Sequence, residues 1–319
     1  MIVSDQNPIL IVVAGPTASG KTACAVALAS RIDGEVISAD SMQVYRGMPV
    51  LSACPGPDEM KGVRHHLLGF VDPEDRYTAD AYRADAARCI AQVLSRGHQP
   101  VLCGGTGLYI NAVTRPMSFS EQSDEAMHAE LMAEGETLEG RRRLHAMLGH
   151  IDPESAARIH ENDVRRVARA IEIYRLTGVT QTEHVRRDRA RQGDYREIIF
   201  ALDWPRTMLH RRIDERVDDM LAHGLVDEVR RLMADDRAHP TAMQAIGYKE
   251  IAAALRGEIT MDEAVVMMRK ATRSLAKRQL TWFRHDERVI WLPAEGRSAA
   301  SLAEEMCAIV RDRSEEAFP

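Results

Sequence analysis

Ile9-Leu10-Ile11-Val12-Val13-Ala14-Gly15-Pro16-Thr17-Ala18-Ser19-Gly20-Lys21-Thr22 is the stretch that decides the fold. Six apolar residues lead into G-x4-G-K-T, and Ala23-Cys24-Ala25-Val26-Ala27-Leu28-Ala29 follows as a helix-forming run. Strand, glycine-rich loop and helix, in that order, make a phosphate cradle. The glycines let the backbone bend until successive N–H groups converge on anionic oxygens. A helix N-terminus adds partial positive charge. Lys21 contributes a mobile cation, and the Thr22 hydroxyl can ligate Mg2+. Gly15 through Thr22 therefore form a candidate loop for a phosphate or diphosphate ligand. The loop announces the ligand without saying which bond is broken.

Outward from this loop, strands and helices alternate. Glu35–Ala39 reads as a strand ending at Asp40, 79–96 as an amphipathic helix stopped by Gly97, and Pro100–Cys103 as a strand running into Gly104-Gly105-Thr106-Gly107. Such alternation predicts a parallel sheet covered by helices, with ligands at the carboxyl ends of the strands. The phosphate loop, Asp40 and Thr106 all fall at such ends and should converge. Residues 121–191 are rich in charge and helix formers. Asp152-Pro153-Glu154 starts one helix there, and another runs from Asp163 to Leu176 and stops at Gly178. Strand character returns at Glu197–Leu202, helices follow at 206–222, 225–234, 248–256 and 260–284, and Val289–Leu292 is a last strand before a final helix. The expected fold is α/β, a P-loop NTPase-like parallel sheet flanked by helices. Residues 1–115 and 198–319 form the core with its C-terminal helices, and 116–197 form an inserted all-helical domain.

Composition narrows the class. The chain has 319 residues, 45% hydrophobic and 28% charged, as in ordinary soluble proteins, with no apolar run near the roughly 20 residues that span a bilayer. No secretory signal is evident. Five scattered cysteines without a C-x2-C pair argue against a zinc ribbon and fit a reducing cytoplasm, and a monomer is the default expectation. Net charge is −6, yet Asp163–Arg191 carries eight arginines against four acids, and Arg269–Arg288 carries seven Lys/Arg against two acids. The acids gather at Glu121–Glu139 and in the tail from Glu304 to Glu316. Each basic segment reads either as a solvated helix face or as a surface for RNA or polyphosphate.

Three further segments carry chemistry. Asp40 in Asp40-Ser41-Met42-Gln43 could ligate a metal through water, act as a base, or cap a helix. In Gly104-Gly105-Thr106-Gly107 the glycines permit close backbone approach and the Thr106 hydroxyl can donate to a ligand oxygen; a plain strand-to-helix turn has the same pattern. Arg212 and Arg216 share a helix face and could clamp a diphosphate or an RNA backbone, or pair with Asp214, Glu215 and Asp219. Residues 272–284 mix cations with Trp282 and Phe283, which suits RNA, although Leu275, Leu280 and Phe283 also read as core. His65 and His66, being adjacent, point to different sides of any regular element and read as structural.

These segments in this order resemble the tRNA dimethylallyltransferases, also called tRNA isopentenyltransferases. The matching pieces are GPTASGKT at 15–22, ISADSMQVYRGM at 37–48, RHHLLGFVDPEDRYTADAYRADA at 64–86, GGTGLY at 104–109, IDPESAARIHENDVRRVARAIEIYRLTG at 151–178, RIDERVDDMLAHGLVDEV at 212–229, QAIGYKEI at 244–251 and TRSLAKRQLTWFR at 272–284. The resemblance implies transfer of a dimethylallyl group from dimethylallyl diphosphate to N6 of adenosine 37, next to the tRNA anticodon, with Mg2+ held by Thr22. The phosphate loop would then hold the prenyl diphosphate and need not act as an ATPase. It implies catalytic roles for Asp40 as base, for Thr106 at the leaving oxygen or in orienting the donor, and for Arg216 on the diphosphate. It implies tRNA contacts at Asp40, Ser41, Met42, Gln43, Thr106 and His128, at Val164, Arg165, Arg166, Val167 and Ala168, at Gln244, Gly247, Tyr248 and Lys249, and at Arg273, Lys277 and Arg278. The partners are the anticodon stem-loop and the prenyl diphosphate. Two departures stand out. The family's I-G-T-A-K-P is Val50-Leu51-Ser52-Ala53-Cys54-Pro55, which lacks the lysine, and His128 stands where an arginine is common. An imidazole contact there would be weaker and pH-dependent. A small-molecule kinase on the same loop, a prenyltransferase acting on free AMP or ADP, and a non-catalytic RNA-binding module are the competing classes.

Overall fold

The computed structural model describes residues 7–117, 124–191, 193–235 and 241–315. Glu121 and Glu316, the outer ends of the two acidic stretches, lie outside them.

The chain forms β1 (Ile9–Ala14), α1 (Lys21–Arg31), β2 (Gly34–Ser38), the short α2 (Pro57–Met60), β3 (His65–His66), α3 (Ala79–Ser95), β4 (Gln99–Gly104) and α4 (Gly107–Thr114). After the insert come β5 (Arg196–Asp203), α10 (Arg206–Ala222), α11 (Leu225–Met233), a 3-10 turn at Ala242–Gln244, α12 (Tyr248–Leu255), α13 (Met261–Arg284), β6 (Val289–Pro293) and α14 (Ala299–Glu315). Five further helices form the insert: α5 (Glu125–Glu134), α6 (Leu138–Ile151), α7 (Pro153–Arg158), α8 (Val164–Thr177) and α9 (Gln181–Arg189).

Among the described residues there is one six-stranded sheet, in the order β3-β2-β4-β1-β5-β6, and every pairing is parallel. A parallel sheet is buried on both faces, which is why β1 reads as an unbroken apolar run. Ile11 and Val13 pack with Leu28 of α1 and Met306 of α14 on one face. Leu10, Val12 and Ala14 pack with Ile90 of α3, Ile110 of α4 and Phe283 of α13 on the other. A second core joins α10 to α13 with the loop around Val44–Leu51. It is pinned by the buried carboxylate of Glu228, which accepts the backbone N–H groups of Val50 (3.0 Å) and Leu51 (2.7 Å). No helix among the described residues is long and apolar enough to cross a membrane.

The chain divides into two compact units, 1–114 with 195–319, and 115–194. The second unit has its own core, built on Leu131, Leu144, Leu148, Val167 and Ile171. Each of its five helices is capped by an Asp or Thr side chain that accepts a first-turn N–H: Asp124, Thr137, Asp152, Asp163 and Thr180. Such caps contribute about 1 kcal/mol each and suit a small, charged unit with a limited core.

Candidate active site

The phosphate loop spans the β1–α1 junction. Gly15 has φ +144° and Gly20 φ +90°, backbone that a side chain would strain, and Ala18 takes the left-handed region at φ +61°. This winding turns consecutive N–H groups inward. The loop closes on itself through Ser19 N–H to the Pro16 carbonyl (3.3 Å) and is also held from outside. Trp204 Nε1 donates to the Ser19 carbonyl (2.9 Å), Arg212 Nε donates to the Ala18 carbonyl (2.8 Å), and the Arg212 guanidinium lies 4.4 Å from the centre of the Trp204 ring. Arg212 is thus a brace behind the loop. Arg216, one turn further on, lines the cavities in front of it.

Backbone fit places the other strand ends. A Cβ on Gly104 would stand 2.1 Å from the Ala39 carbonyl oxygen, so only glycine lets β4 lie this close to the end of β2. Thr106 N donates to the same carbonyl at 3.1 Å. The Thr106 hydroxyl accepts the N–H of Ser41 (3.0 Å) and reaches Ser41 Oγ at 3.3 Å. Asp40 Oδ1 accepts the N–H of Met42 (2.9 Å), and its other oxygen makes no hydrogen bond among the described residues. The two strand-end turns are therefore knitted into one unit, with a carboxylate oxygen left over.

Two cavities meet at this unit, and a third adjoins them at Lys21, Thr22 and Arg216. One of about 250 Å3 is bounded by Asp40, Ser41, Met42 and Thr106 on the strand ends, by Arg216 and Met220 on α10, and by Gln244, Met268, Leu275, Arg278 and Gln279 beyond. A polar chamber of about 30 Å3 lies between Lys21, Thr22, Ser38, Asp40, Gln43, His65 and Arg216. A wider cleft of about 760 Å3 runs along Gly20–Ala23, Val50, Cys54, Glu59, Arg212 and Arg216. Thr17, Asp40 and Arg216 line both the first and the second.

Electrostatics match an anion site. Burial pulls the pKa of Lys21 down, Asp40 pulls it up, and Arg216 lowers it further; burial lowers Arg216 as well. Two cations held in a partly dry chamber are poised for a negative ligand. Burial also pushes Cys103 up to about 12 and Cys54 up to about 11, so neither supplies a thiolate nucleophile at neutral pH. For a divalent ion the chain itself offers the Thr22 hydroxyl and Asp40. Among the described residues no group of three His, Cys, Asp or Glu forms a self-sufficient cation cage. Two hard oxygen donors are of the type Mg2+ takes, the rest of its shell being waters and phosphate oxygens. His65 Nδ1 donates to the Val63 carbonyl (2.9 Å), and its Nε2, buried and without a partner among the described residues, is an acceptor available to a water ligand.

The residues expected to touch RNA divide sharply. Ser41 and Met42 line the 250 Å3 cavity, and Gln43 has its amide bound at both ends, accepting from Ser38 Oγ (2.8 Å) and donating to the Ala53 carbonyl (3.1 Å). Gln244, Lys249, Lys277 and Arg278 are exposed. Lys277 and Arg278 make no ion pair among the described residues. Tyr248 is a correction: its ring is 7% exposed and packs in the α10–α13 core, as Gly247 packs on Leu51 and Met268. Arg273 is paired, one guanidinium nitrogen binding both Asp214 oxygens at 2.7 and 2.5 Å, and its side chain is half-buried. In the insert, Arg165 and Arg166 are exposed on α8, with Arg166 3.4 Å from Asp163. Val167 and Ala168 are 0% exposed on the opposite face and cannot offer side chains to RNA, and Val164 packs beside Gly135. His128 Nδ1 lies 3.3 Å from the buried carboxylate of Glu172, which also binds Arg169 at 2.9 Å. Much of the basic segment 163–191 is likewise paired locally, Arg186 with Glu154 and Arg187 with Glu183 among them.

A parallel sheet whose strand ends bring together a glycine-rich loop, a carboxylate, a hydroxyl and a half-buried arginine places the chain in the P-loop-like α/β class. Comparison with known proteins narrows this. The family described as IPP transferase matches residues 43–286. The tRNA dimethylallyltransferase of Symbiobacterium thermophilum is 44% identical over 310 residues, 95% of each chain, and that of Geobacter metallireducens is 45% identical over 302 residues, 94% of this chain and 97% of its own. Among solved structures, the full-length tRNA isopentenylpyrophosphate transferase of Bacillus halodurans superimposes with a TM-score of 0.73 at 38% identity, covering 98% of both chains. A eukaryotic dimethylallyltransferase captured acting on tRNA superimposes at 0.81 with 26% identity, over 97% of this chain and 80% of its own. The chain belongs to the IPP transferase family.

Proposed function

We propose that this protein transfers a dimethylallyl group from dimethylallyl diphosphate to N6 of adenosine 37 in tRNA, releasing diphosphate. Support comes from family membership and, above all, from the convergence of Lys21, Asp40, Thr106 and Arg216 on connected cavities. The polar chamber together with the cleft that adjoins it, both lined by Lys21, Thr22 and Arg216, suits the diphosphate, and the 250 Å3 cavity, with Met220, Met268 and Leu275 in its wall, suits the prenyl chain and a flipped adenine.

The chemistry follows from the charges. Breaking the allylic C–O bond sends its electron pair to the diphosphate oxygen and leaves positive charge on carbon. Lys21, Arg216 and the loop N–H groups stabilise the departing anion, and their fixed positions spare reorganisation. Thr22 would hold Mg2+, which when bound screens the diphosphate charge. The N6 lone pair forms the new C–N bond, and the unoccupied oxygen of Asp40 takes the N6 proton as that bond forms. Thr106 fixes the Asp40–Ser41 turn and faces the leaving oxygen. Adenosine 37 must leave its stack to arrive, at a cost of a few kcal/mol. Arg165 and Arg166 on the insert, and Lys277 and Arg278 on α13, supply phosphate contacts. The reactants are met in the cytoplasm, the compartment this reading assigns.

The test incubates the protein with Mg2+, labelled dimethylallyl diphosphate and an unmodified anticodon stem-loop, with AMP and ATP in parallel. Label on the RNA alone supports the proposal. Label on AMP alone would make it a nucleotide prenyltransferase, and ATP consumed against a small acceptor would make it a kinase.

A further inference from the structure

Gln279 lies on α13 directly after Lys277 and Arg278, and its side chain reaches both strand-end segments of the site. Oε1 accepts the N–H of Thr17 at 2.8 Å, and Nε2 donates to the Gly105 carbonyl at 3.0 Å. One partner is in the phosphate loop; the other is in the turn that carries Thr106. Only one orientation of the amide serves both, because Thr17 offers a donor and Gly105 an acceptor. The fit around it is tight. A Cβ on Gly105 would stand 2.3 Å from Gln279 Nε2, and one on Gly107 would stand 2.3 Å from the ring of Trp282, the next residue on this face of α13. The two glycines of that turn are therefore shaped by α13 itself.

The same helix is anchored elsewhere. Arg273 and Arg269 tie it to Asp214 and Asp218 of α10, the helix that carries Arg216. Lys277 and Arg278 remain exposed, and Arg278 lines the 250 Å3 cavity. An RNA phosphate bound by these two cations would act on a helix whose next side chain is bonded to the phosphate loop.

We propose that Gln279 is a positioning residue that couples RNA binding on α13 to the phosphate loop, by bonding Thr17 and Gly105 with one amide. The proposal rests on the functional reading above. Coupling of this kind is reciprocal and typically amounts to about 5–150-fold in affinity.

The experiment measures the dissociation constant of inorganic diphosphate with Mg2+ by calorimetry, with and without saturating anticodon stem-loop RNA. It compares wild type with Gln279→Leu, which keeps the volume and removes both hydrogen bonds, and with Gln279→Glu, which keeps an acceptor for Thr17 and loses the donor to Gly105. Wild type is expected to change affinity at least about fivefold on adding RNA, Gln279→Leu less than about twofold, and Gln279→Glu an intermediate amount. An unchanged wild-type affinity, or full coupling in Gln279→Leu, overturns the proposal. If Gln279→Leu does not fold, full coupling in Gln279→Glu overturns it equally. Failure of wild type to bind either ligand would instead overturn the functional reading, and the coupling with it.

Discussion

Replacing Lys21 by methionine separates binding from folding. The Lys21 ammonium makes one hydrogen bond among the described residues, to the Pro16 carbonyl at a long 3.3 Å. Two of its three donors are thus open to a ligand. Two charge-assisted hydrogen bonds contribute about 1.5–3 kcal/mol each. Allowing for partial compensation by Arg216, the expected loss is roughly 3 kcal/mol, or about 150-fold in diphosphate affinity. The effect on folding has the opposite sign. Burial holds the pKa of Lys21 below its ordinary 10.5, so the charged form is the costly one in the folded protein. That cost is present in full below the lowered folded pKa and vanishes above 10.5. At neutral pH, Lys21→Met should therefore leave the ligand-free Tm unchanged or raise it. Thermal unfolding with and without diphosphate at 100 times the wild-type Kd reads both effects. Wild type should gain about 2.7 kcal/mol, a shift of roughly 4–5 °C. The variant, at the same concentration, should gain well under about 1 kcal/mol. A ligand-free Tm several degrees lower, with an unchanged diphosphate shift, would make Lys21 a folding residue and refute the reasoning.

Other outcomes follow from the same structure. Gly104→Ala would set a Cβ 2.1 Å from a backbone carbonyl that cannot retreat, and denaturant titration should show a loss of about 2 kcal/mol or more. The Glu35 carboxyl is held down to about 2, first by the Arg96 guanidinium at 2.7 Å and then by His66 at 2.6 Å, against its burial. This stabilisation is complete above the unfolded value of 4.5 and is lost as the pH falls toward 2. Wild type should lose roughly 2 kcal/mol over that window, discounted for the partly exposed Arg96, whereas Glu35→Gln should already lack it at pH 7 and be flatter in acid. Arg165→Ala with Arg166→Ala should weaken RNA binding and lower the slope of log affinity against log salt by about one to two. An unchanged slope would return α8 to an ordinary solvated face.

The sequence was most legible where chain neighbours share one task. The phosphate loop is contiguous, and the rule that ligands sit at the carboxyl ends of parallel strands brings Asp40 and Thr106 to it without any knowledge of contacts. Helices were less transparent, because neighbouring residues in a block of sequence face opposite ways. Val167 and Ala168 sit beside Arg165 and Arg166 in sequence and yet lie in the core. Tyr248 and Lys249 part in the same way at the start of α12. The ion pair of Arg273 has no local signal, because Asp214, which binds it, is 59 residues away. Gln279 carries no local signal at all, its partners being 262 and 174 residues distant. His65 could have been suspected, since in a short strand one of two adjacent histidines must face inward. His66 took the Glu35 ion pair, and His65 took the chamber wall.

The central claim is that Asp40 takes a proton from N6 of a tRNA adenosine while the neighbouring cations hold the leaving diphosphate. Wild type and Asp40→Asn, given Mg2+, labelled dimethylallyl diphosphate and unmodified tRNA carrying A36-A37-A38, test it most directly when the RNA is digested and the labelled nucleoside identified. The account predicts label on N6 of A37 with wild type, a loss of about 100-fold or more in rate with Asp40→Asn, and RNA affinity within a few-fold of wild type. Label at any other position, or an Asp40→Asn rate equal to wild type, would contradict it.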